Sequence, residues 1–367
     1  MPDPADTLVI TAVDGQSSVG LNIEDIAAAI RAGVSLFSQH PFYNPIVKDK
    51  EVDEPYFLSA ALCTQLSDDT FKKERLLELV IEPFIRLIEN SALTREQMSR
   101  GSICFALPDE DATEDKAANV ELALGHGFLD DIIQQVALPD KMDVSAIQLG
   151  SIGFFYFLKG AMNKLLSGEF DYVIIVAADS FIFKERLAHF DNNWRLKTDR
   201  NPFGFVAGEA ASIVMIETEL KAKQRGAPVL AKLDSFGLGR ENNVITQDKS
   251  SAGEGLAVSI EACLTGIRPG SKNFDKPVSW VISDMNGEQY NAYEWGIVNS
   301  RLLHYFSGDV VHQHYADVIG EVGSALPGIN IGCVINSFEK GYAIDDSALI
   351  FSGNDGGFRG ALSISKP

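Results

Sequence analysis

The sequence predicts an α/β fold in two similar halves, and three observations carry this. Near-continuous apolar runs, "DYVIIVAAD" (171–179) and "PVSWVISD" (277–284), read as strands buried on both faces. Longer amphipathic runs, "KERLLELVIEPFIRLIENS" (73–91) and "YNAYEWGIVNSRLLHYF" (290–306), alternate with such strands and supply the helices that cover them. The same opening and the same ending each occur twice along the chain.

The first opening is "TLVITAVDGQSSVG" (7–20), a strand that ends in small residues. The helix "NIEDIAAAIRAG" (22–33) follows, with Ile23, Ile26, Ala27 and Ile30 on one stripe. The second is "VLAKLDSFGLG" (229–239), followed by the amphipathic helix "GEGLAVSIEACLTGI" (253–267). The endings are "FGFVAGEAASIVMIE" (203–217) and "GGFRGALSISKP" (356–367), each passing from a glycine-rich loop into a strand of β-branched and small residues. Between the halves, "ELKAKQRGAP" (219–228) reads as a charged connector, so the halves are expected at residues 1–217 and 228–367.

At 367 residues the chain is long enough for two domains or one large duplicated unit. With 51 acidic against 31 basic residues its formal charge is −20, which repels phosphate backbones and anionic lipid; neither nucleic acid nor a membrane is an expected partner. The start, "MPDPADTLVITAV", lacks the basic region of a secretory signal, and no apolar run reaches the roughly 18–20 residues of a membrane helix, so a cytoplasmic protein is expected. Cys63, Cys104, Cys263 and Cys333 stand in apolar surroundings without CxxC spacing and read as buried thiols. No ligand set for a metal is apparent, and no cofactor is expected.

Two segments carry a family resemblance. "GFVAGEAASIVMIE" is similar to the GF(V)xGEGAGxxxLE strand of the β-ketoacyl synthases, and "SIGFFYFL" (151–158) matches the C-A-G-F-x-Y-A-L pattern around the nucleophile of the initiating, type III synthases. The spacing from there to "SGEFD" (167–171) agrees as well. The chain thus resembles the thiolase-fold condensing enzymes over most of its length. This implies mixed sheets that sandwich helices and are flanked by others, and pairing into a dimer across the edge strand of the first half. More loosely, "AAAIRAGVSLFSQHPFYNP" (27–45) and "ERLLELVIEP" (74–83) look like stand-alone thiolase-like proteins encoded beside type VI secretion adaptor and PAAR-repeat genes.

The residues that should do the family's chemistry differ. Ser151 occupies the place of the cysteine, Asn286 in "DMNGEQ" that of the first histidine, and Asp317 in "ADVIGEVGSA" that of the second, with Gly320 and Gly323 in register. His312 falls where a lysine is usual. "FSGNDGGFRG" (351–360) replaces G-F-G-G-x-N, with Asn354, Gly356 and Gly357 keeping only its flexible character. A helix N-terminus lowers a thiol's pKa but does not ionise a hydroxyl, so Ser151 needs a hydrogen-bonded base, and asparagine is none. An aspartate at the second position repels an oxyanion.

The structural reading of Ser151 is a helix cap. His312 and His314, two apart on a strand, share a face and are weak base candidates, with Asp317 placed to orient one of them. Gln148 stands three residues too early to match the glutamine of chain-length factors, and the aromatic run Phe154–Phe157 reads as core.

These readings favour a non-catalytic thiolase-fold partner subunit or assembly factor, with a link to type VI secretion from the looser resemblance. Its expected partners are itself as a homodimer, a ketosynthase or a secretion adaptor. The alternatives are a chain-length-factor-like subunit of a ketosynthase heterodimer, or an acyltransferase of the 3-oxoacyl synthase kind acting on an acyl thioester through Ser151. The acidic excess speaks against an acyl thioester, because its acidic carriers favour a basic entrance.

Overall fold

The computed structural model describes residues 6–40, 57–67, 72–109, 127–139, 142–247, 249–267 and 275–367. The chain opens with strand β1 (Leu8–Ser17) and the Ile23–Ala32 helix, started by the Asn22 side chain accepting from the Asp25 N–H (2.9 Å) and stopped by left-handed Gly33. Two short strands, β2 (Ser38–Gln39) and β3 (Ser59–Ala61), precede the Lys72–Ser91 helix. Then come β4 (Gly101–Leu107), the Phe128–Gln135 helix, β5 (Asp143–Gln148), the Ser151–Leu166 helix, β6 (Tyr172–Ser180), the Lys184–Asn192 helix and β7 (Ala207–Thr218). Every residue of β6 and β7 is buried, as their unbroken apolar runs demand.

The second run is β8 (Ala231–Arg240), the Glu254–Thr265 helix, β9 (Val278–Ser283), the Gln289–Arg301 helix, β10 (Phe306–His314), the Leu326–Lys340 helix, β11 (Ser347–Gly353) and β12 (Phe358–Ser365). The sheet order is β10-β9-β11-β12-β8-β1-β7-β6-β4-β5. Leaving β2 and β3 aside, the five strands of each half follow one rule: the first pairs antiparallel with the last (β1–β7, β8–β12), the last antiparallel with the fourth (β6, β11), and the fourth parallel with the second (β4, β9), which lies parallel to the third (β5, β10). The halves meet where β1 runs antiparallel to β8 from Leu8↔Leu233 to Ile10↔Ala231.

Among the described residues three large apolar layers hold this together, with a smaller cluster of Leu58, Phe181, Leu187, Phe190, Leu196 and Phe205 beside them. The central one packs the Ser151–Leu166 and Leu326–Lys340 helices between the two sheet halves and contains Phe154, Phe155, Phe157, Ile329 and Val334. The second buries the Lys72–Ser91 and Phe128–Gln135 helices against the outer face of the first half, through Leu76, Phe84, Phe105 and Ile132. The third does the same for the Glu254–Thr265 and Gln289–Arg301 helices, through Ile260, Val298 and Phe351. The aromatic run is therefore core as expected, except that Tyr156 is exposed. All four cysteines are buried free thiols, and burial raises the pKa of each.

The 219–228 segment differs from the expected connector, since it contains a helix, Glu219–Arg225. Thr218 caps it by accepting from the Lys221 N–H, Glu219 and Lys223 pair across one turn at 2.8 Å, and left-handed Gly226 closes it. Arg225 then turns back to the buried Glu217 at the end of β7. Charge patterning at this length is ambiguous between a loop and two capped turns.

Candidate functional site

Ser151 begins its helix at the end of a tight reversal. Gly150 holds φ 57° and ψ −144°, a conformation that only glycine adopts readily, and its N–H bonds the Leu107 carbonyl at 3.2 Å. Gly150, not Ser151, is the N-cap, and no side chain caps this end. The Ser151 hydroxyl instead donates to the Gly353 carbonyl of β11 at 2.7 Å, so the helix-cap reading does not hold. Ser151 is 5% exposed and opens into a cleft of about 570 Å³ between the two halves.

The opposite wall is built by the loop after β9. Asp284 accepts from the Gly353 N–H at 2.6 Å, so Gly353 is held on both sides of its peptide. Two residues on, the Asn286 amide donates to Glu321 at 2.7 Å and to Glu288 at 3.2 Å. Its oxygen accepts from the Glu288 N–H and the Asn291 amide. Glu321 also accepts from the Gly323 N–H at 2.9 Å. Desolvation pushes Asp284 up to about 6 and Glu321 up to about 7, outweighing the hydrogen bonds that favour their charged forms.

Three arginines of the cleft are already committed. Arg186 pairs with Asp179, Arg359 with Glu294 at 2.9 Å, and Arg195 is clamped between Glu288 (2.7 Å) and Asp355. Burial opposes the Arg195 charge, but hydrogen bonds and charge from Glu288 and Asp355 overcome it and raise its pKa. The glycine-rich segment is a bonded turn and not a loose one. The Asn354 N–H and side-chain oxygen both engage Phe358, while its amide reaches Asp109 (3.0 Å) and the Leu149 carbonyl (3.3 Å). Asn354 thus ties the turn to the loop that carries Ser151.

No family model matches the sequence. Over 73 residues the chain is 34% identical to the 3-oxoacyl-[acyl-carrier-protein] synthase 2 of Mycobacterium tuberculosis and of Mycobacterium bovis, a match spanning 20% of this chain and 18% of those proteins. Among solved structures, a type II PKS acyl-carrier protein in complex with its ketosynthase gives a TM-score of 0.78 at 14% identity, covering 99% of both chains. The ishigamide ketosynthase/chain length factor gives 0.72 at 16%, covering 99% of both. A β-ketoacyl synthase from Burkholderia phymatum gives 0.72 at 14%, covering 99% of this chain and all of that one.

The chain has the thiolase fold of the ketosynthases.

Within this ketosynthase fold the residues singled out from the sequence fall into two groups. Ser151 and Asn286 line the same cleft, as does Gln148, the last residue of β5. Asp317, His312 and His314 do not line it. Asp317 sits on the four-residue Ala316–Ile319 turn of helix, its side chain 68% exposed, and pairs with His314 at 2.9 Å. His312 meets the Ser283 hydroxyl at 2.7 Å and lies against Trp295 and Phe351. Burial, with His314 adding to it, pushes His312 down to about 4. The two imidazoles do share a face, 5.9 Å apart.

Sequence reasoning passed over Asp284, Glu321, Arg195 and His189, all of which line the cleft. Glu321 lay inside the quoted "ADVIGEVGSA", but nothing in its spacing distinguished it from Asp317. Among the described residues no cluster of histidine, cysteine and carboxylate is fit to hold a metal, and no helix is long and apolar enough to cross a membrane.

Proposed function

We propose that this chain is a ketosynthase-fold subunit that does not carry out condensation and acts by pairing with another protein. One observation carries the reading: the Ser151 hydroxyl spends its hydrogen on the Gly353 carbonyl, and among the described residues no histidine is bonded to it. A serine in that state is a poor nucleophile, because activation needs a base to take the proton. The surroundings add to this. Asp284 and Glu321 line the same cleft as Ser151, and an acyl oxyanion formed there would need hydrogen-bond donors or positive charge instead of carboxylates.

Pairing is supported by the open edge of β5, which among the described strands bonds only β4, and by the assemblies named among the fold relatives, a carrier protein with its ketosynthase and a ketosynthase/chain length factor. The reading includes a division of the chain at residues 217 and 228. The homodimer across β5 is its simplest form, and a ketosynthase heterodimer its alternative. The link to type VI secretion rests on sequence segments whose stretch Pro41–Pro45 lies outside the described residues.

The test is intact-protein mass after incubation with short and long acyl-CoA and acyl-carrier thioesters, beside Ser151→Ala. The reading expects no stoichiometric adduct with any donor. An adduct that vanishes in Ser151→Ala overturns it and makes the protein an acyltransferase.

A further inference from the structure

Arg195 is bound on both edges of its guanidinium. Glu288 takes the inner edge, accepting from Nε at 2.7 Å and from Nη2 at 2.9 Å, while Asp355 takes the outer edge, accepting from Nη1 and, at 3.2 Å, from Nη2. The two acids are held differently. The Glu288 side chain is 7% exposed, takes the Asn286 amide as a further donor, and its own N–H goes to the Asn286 oxygen. The Asp355 side chain is 41% exposed, and among the described residues it bonds Arg195 alone.

One buried carboxylate already balances a guanidinium, as Asp179 does for Arg186 and Glu294 for Arg359. A second one on Arg195 adds negative charge to a chain already at −20, and an ion pair exposed on one side holds weakly. Asp355 is also the replaceable partner by position. With Gly356 it forms the centre of a turn closed by the Gly357 N–H on the Asn354 carbonyl at 3.1 Å, and it is Asn354 that anchors this turn, to Asp109, Leu149 and Phe358. Rotation of the Asp355 side chain into water breaks none of these bonds. It uncovers the outer edge of Arg195 toward the cleft of about 570 Å³ that both residues line, a planar pair of N–H donors that matches a carboxylate. Leu149, Val244, Ile245 and Phe358, all partly exposed, line the same cleft and give a short carbon chain apolar surface.

We propose that the outer edge of the Arg195 guanidinium is a binding site for a small monocarboxylate, and that Asp355 is its internal occupant, which turns out into water when the guest takes the two N–H donors.

In this exchange one carboxylate replaces another. The charge beside Arg195 and its hydrogen bonds stay the same, and Glu288 keeps the guanidinium in place throughout. A dianion such as phosphate adds a further charge in a cleft that Asp284, Glu288 and Glu321 also line, which favours the singly charged guest. The inference goes beyond the non-condensing reading and does not rest on it, because Arg195 takes no part in the bond that occupies the Ser151 hydroxyl.

The experiment is calorimetric titration of the full chain with sodium butyrate at about pH 8, where the guest is ionised, beside butyramide and inorganic phosphate. Saturable binding is expected for butyrate alone. A site that its internal occupant fills most of the time binds correspondingly weaker, so Asp355→Ala should bind butyrate roughly five- to tenfold tighter than the parent. Arg195→Lys keeps a charge beside Glu288 but loses the planar pair of donors, and should bind several-fold more weakly. Thermal melts of both variants show whether the fold persists, and if Arg195→Lys does not fold, the parent and Asp355→Ala decide alone. Binding by Asp355→Ala without any by the parent overturns the inference, for it makes Asp355 a fixed partner whose removal leaves a gap. Equal affinity in the parent and Asp355→Ala, butyramide or phosphate bound as well as butyrate, or unchanged affinity in a folded Arg195→Lys overturns it too. An acyl adduct on Ser151 with butyrate binding intact would sink the non-condensing reading alone. Absence of both adduct and butyrate binding would sink this inference alone.

Discussion

Ser151 and Gly353, 202 residues apart, are joined by a 2.7 Å hydrogen bond that runs from the hydroxyl to the backbone carbonyl. The first-half helix start and the end of β11 in the second half meet there, so the bond ties the two halves together inside the cleft. Ser151→Ala removes the donor and leaves a carbonyl with one bond fewer. The expected loss is about 1 kcal/mol in urea unfolding. A loss near zero would mean that water or a neighbour replaces the hydroxyl.

Ser151→Cys places a thiol at the first turn of that helix, where the helix dipole favours a thiolate. Burial pushes the four native thiols up and slows them, Cys263 to about 12. Iodoacetamide should therefore label the variant once and rapidly at this position while the parent stays unlabelled on the same timescale. Slow labelling would show that Asp284 and Glu321 outweigh the helix terminus.

Gly150→Ala is expected to destabilise by about 1–3 kcal/mol, because φ 57° with ψ −144° lies outside the regions open to residues with a Cβ. Crowding adds to this, since the added carbon would stand 3.3 Å from the Asp109 Cβ, closer than ordinary van der Waals contact. Thermal melts of Gly150→Ala beside Gly168→Ala, where a Cβ meets nothing, separate this site's strain from the general cost of positive φ.

Stability should fall as pH rises from about 4 to about 7, to the extent that Asp284 and Glu321 dominate. Both titrate higher in the folded state than in the unfolded chain, so over this range the folded protein keeps protons that the unfolded one has lost. The groups facing Glu321 are Asn286, Gly323, Asp284 and Glu288; those facing Asp284 are Gly353, Arg359 and Glu294. Glu321→Gln should raise stability at pH 8 by something of order 1–3 kcal/mol and do little at pH 4. Urea unfolding at the two pH values checks this, and an equal effect at both would rule out the titration.

Glu209 is fully buried and collects the Arg75 guanidinium (2.5 and 2.9 Å), the Cys63 N–H (2.8 Å) and the Ser180 hydroxyl (3.1 Å). Arg75→Met leaves that carboxylate without its cation and should cost about 3–5 kcal/mol. The double variant with Glu209→Gln should recover part of the loss in a double-mutant cycle, and full additivity would refute the coupling.

Much of the architecture was legible because burial on both faces leaves a continuous apolar run, as in β6 and β7, and because helix caps such as Asn22 and Gly33 are local. The site was legible only in part. Ser151 follows a glycine at a strand-to-helix reversal, a pattern confined to neighbouring residues, and Asn286 sits just beyond a buried strand. Asp317 and Glu321 are four residues apart in one motif, and no periodicity says which turns inward. That is decided by Gly320, which leaves the short helix at φ 73° and ψ −174° and carries Glu321 beside Gly208 of β7 while Asp317 stays in solvent.

Strand and helix types, apart from the short Glu219–Arg225 helix, and their twofold repetition are written in the sequence, because each depends on side-chain type and spacing along a few neighbouring residues. Only the tertiary structure decided what surrounds the hydroxyl. Ser151 bonds Gly353 across the two halves, 202 residues away, so its partner depends on how the halves dock, while Asn286 meets Glu321 and Asp284 meets Gly353 through long-range packing within the second half. That docking minimises the exposed area of a shared core, a sum over many weak contacts that no local pattern records.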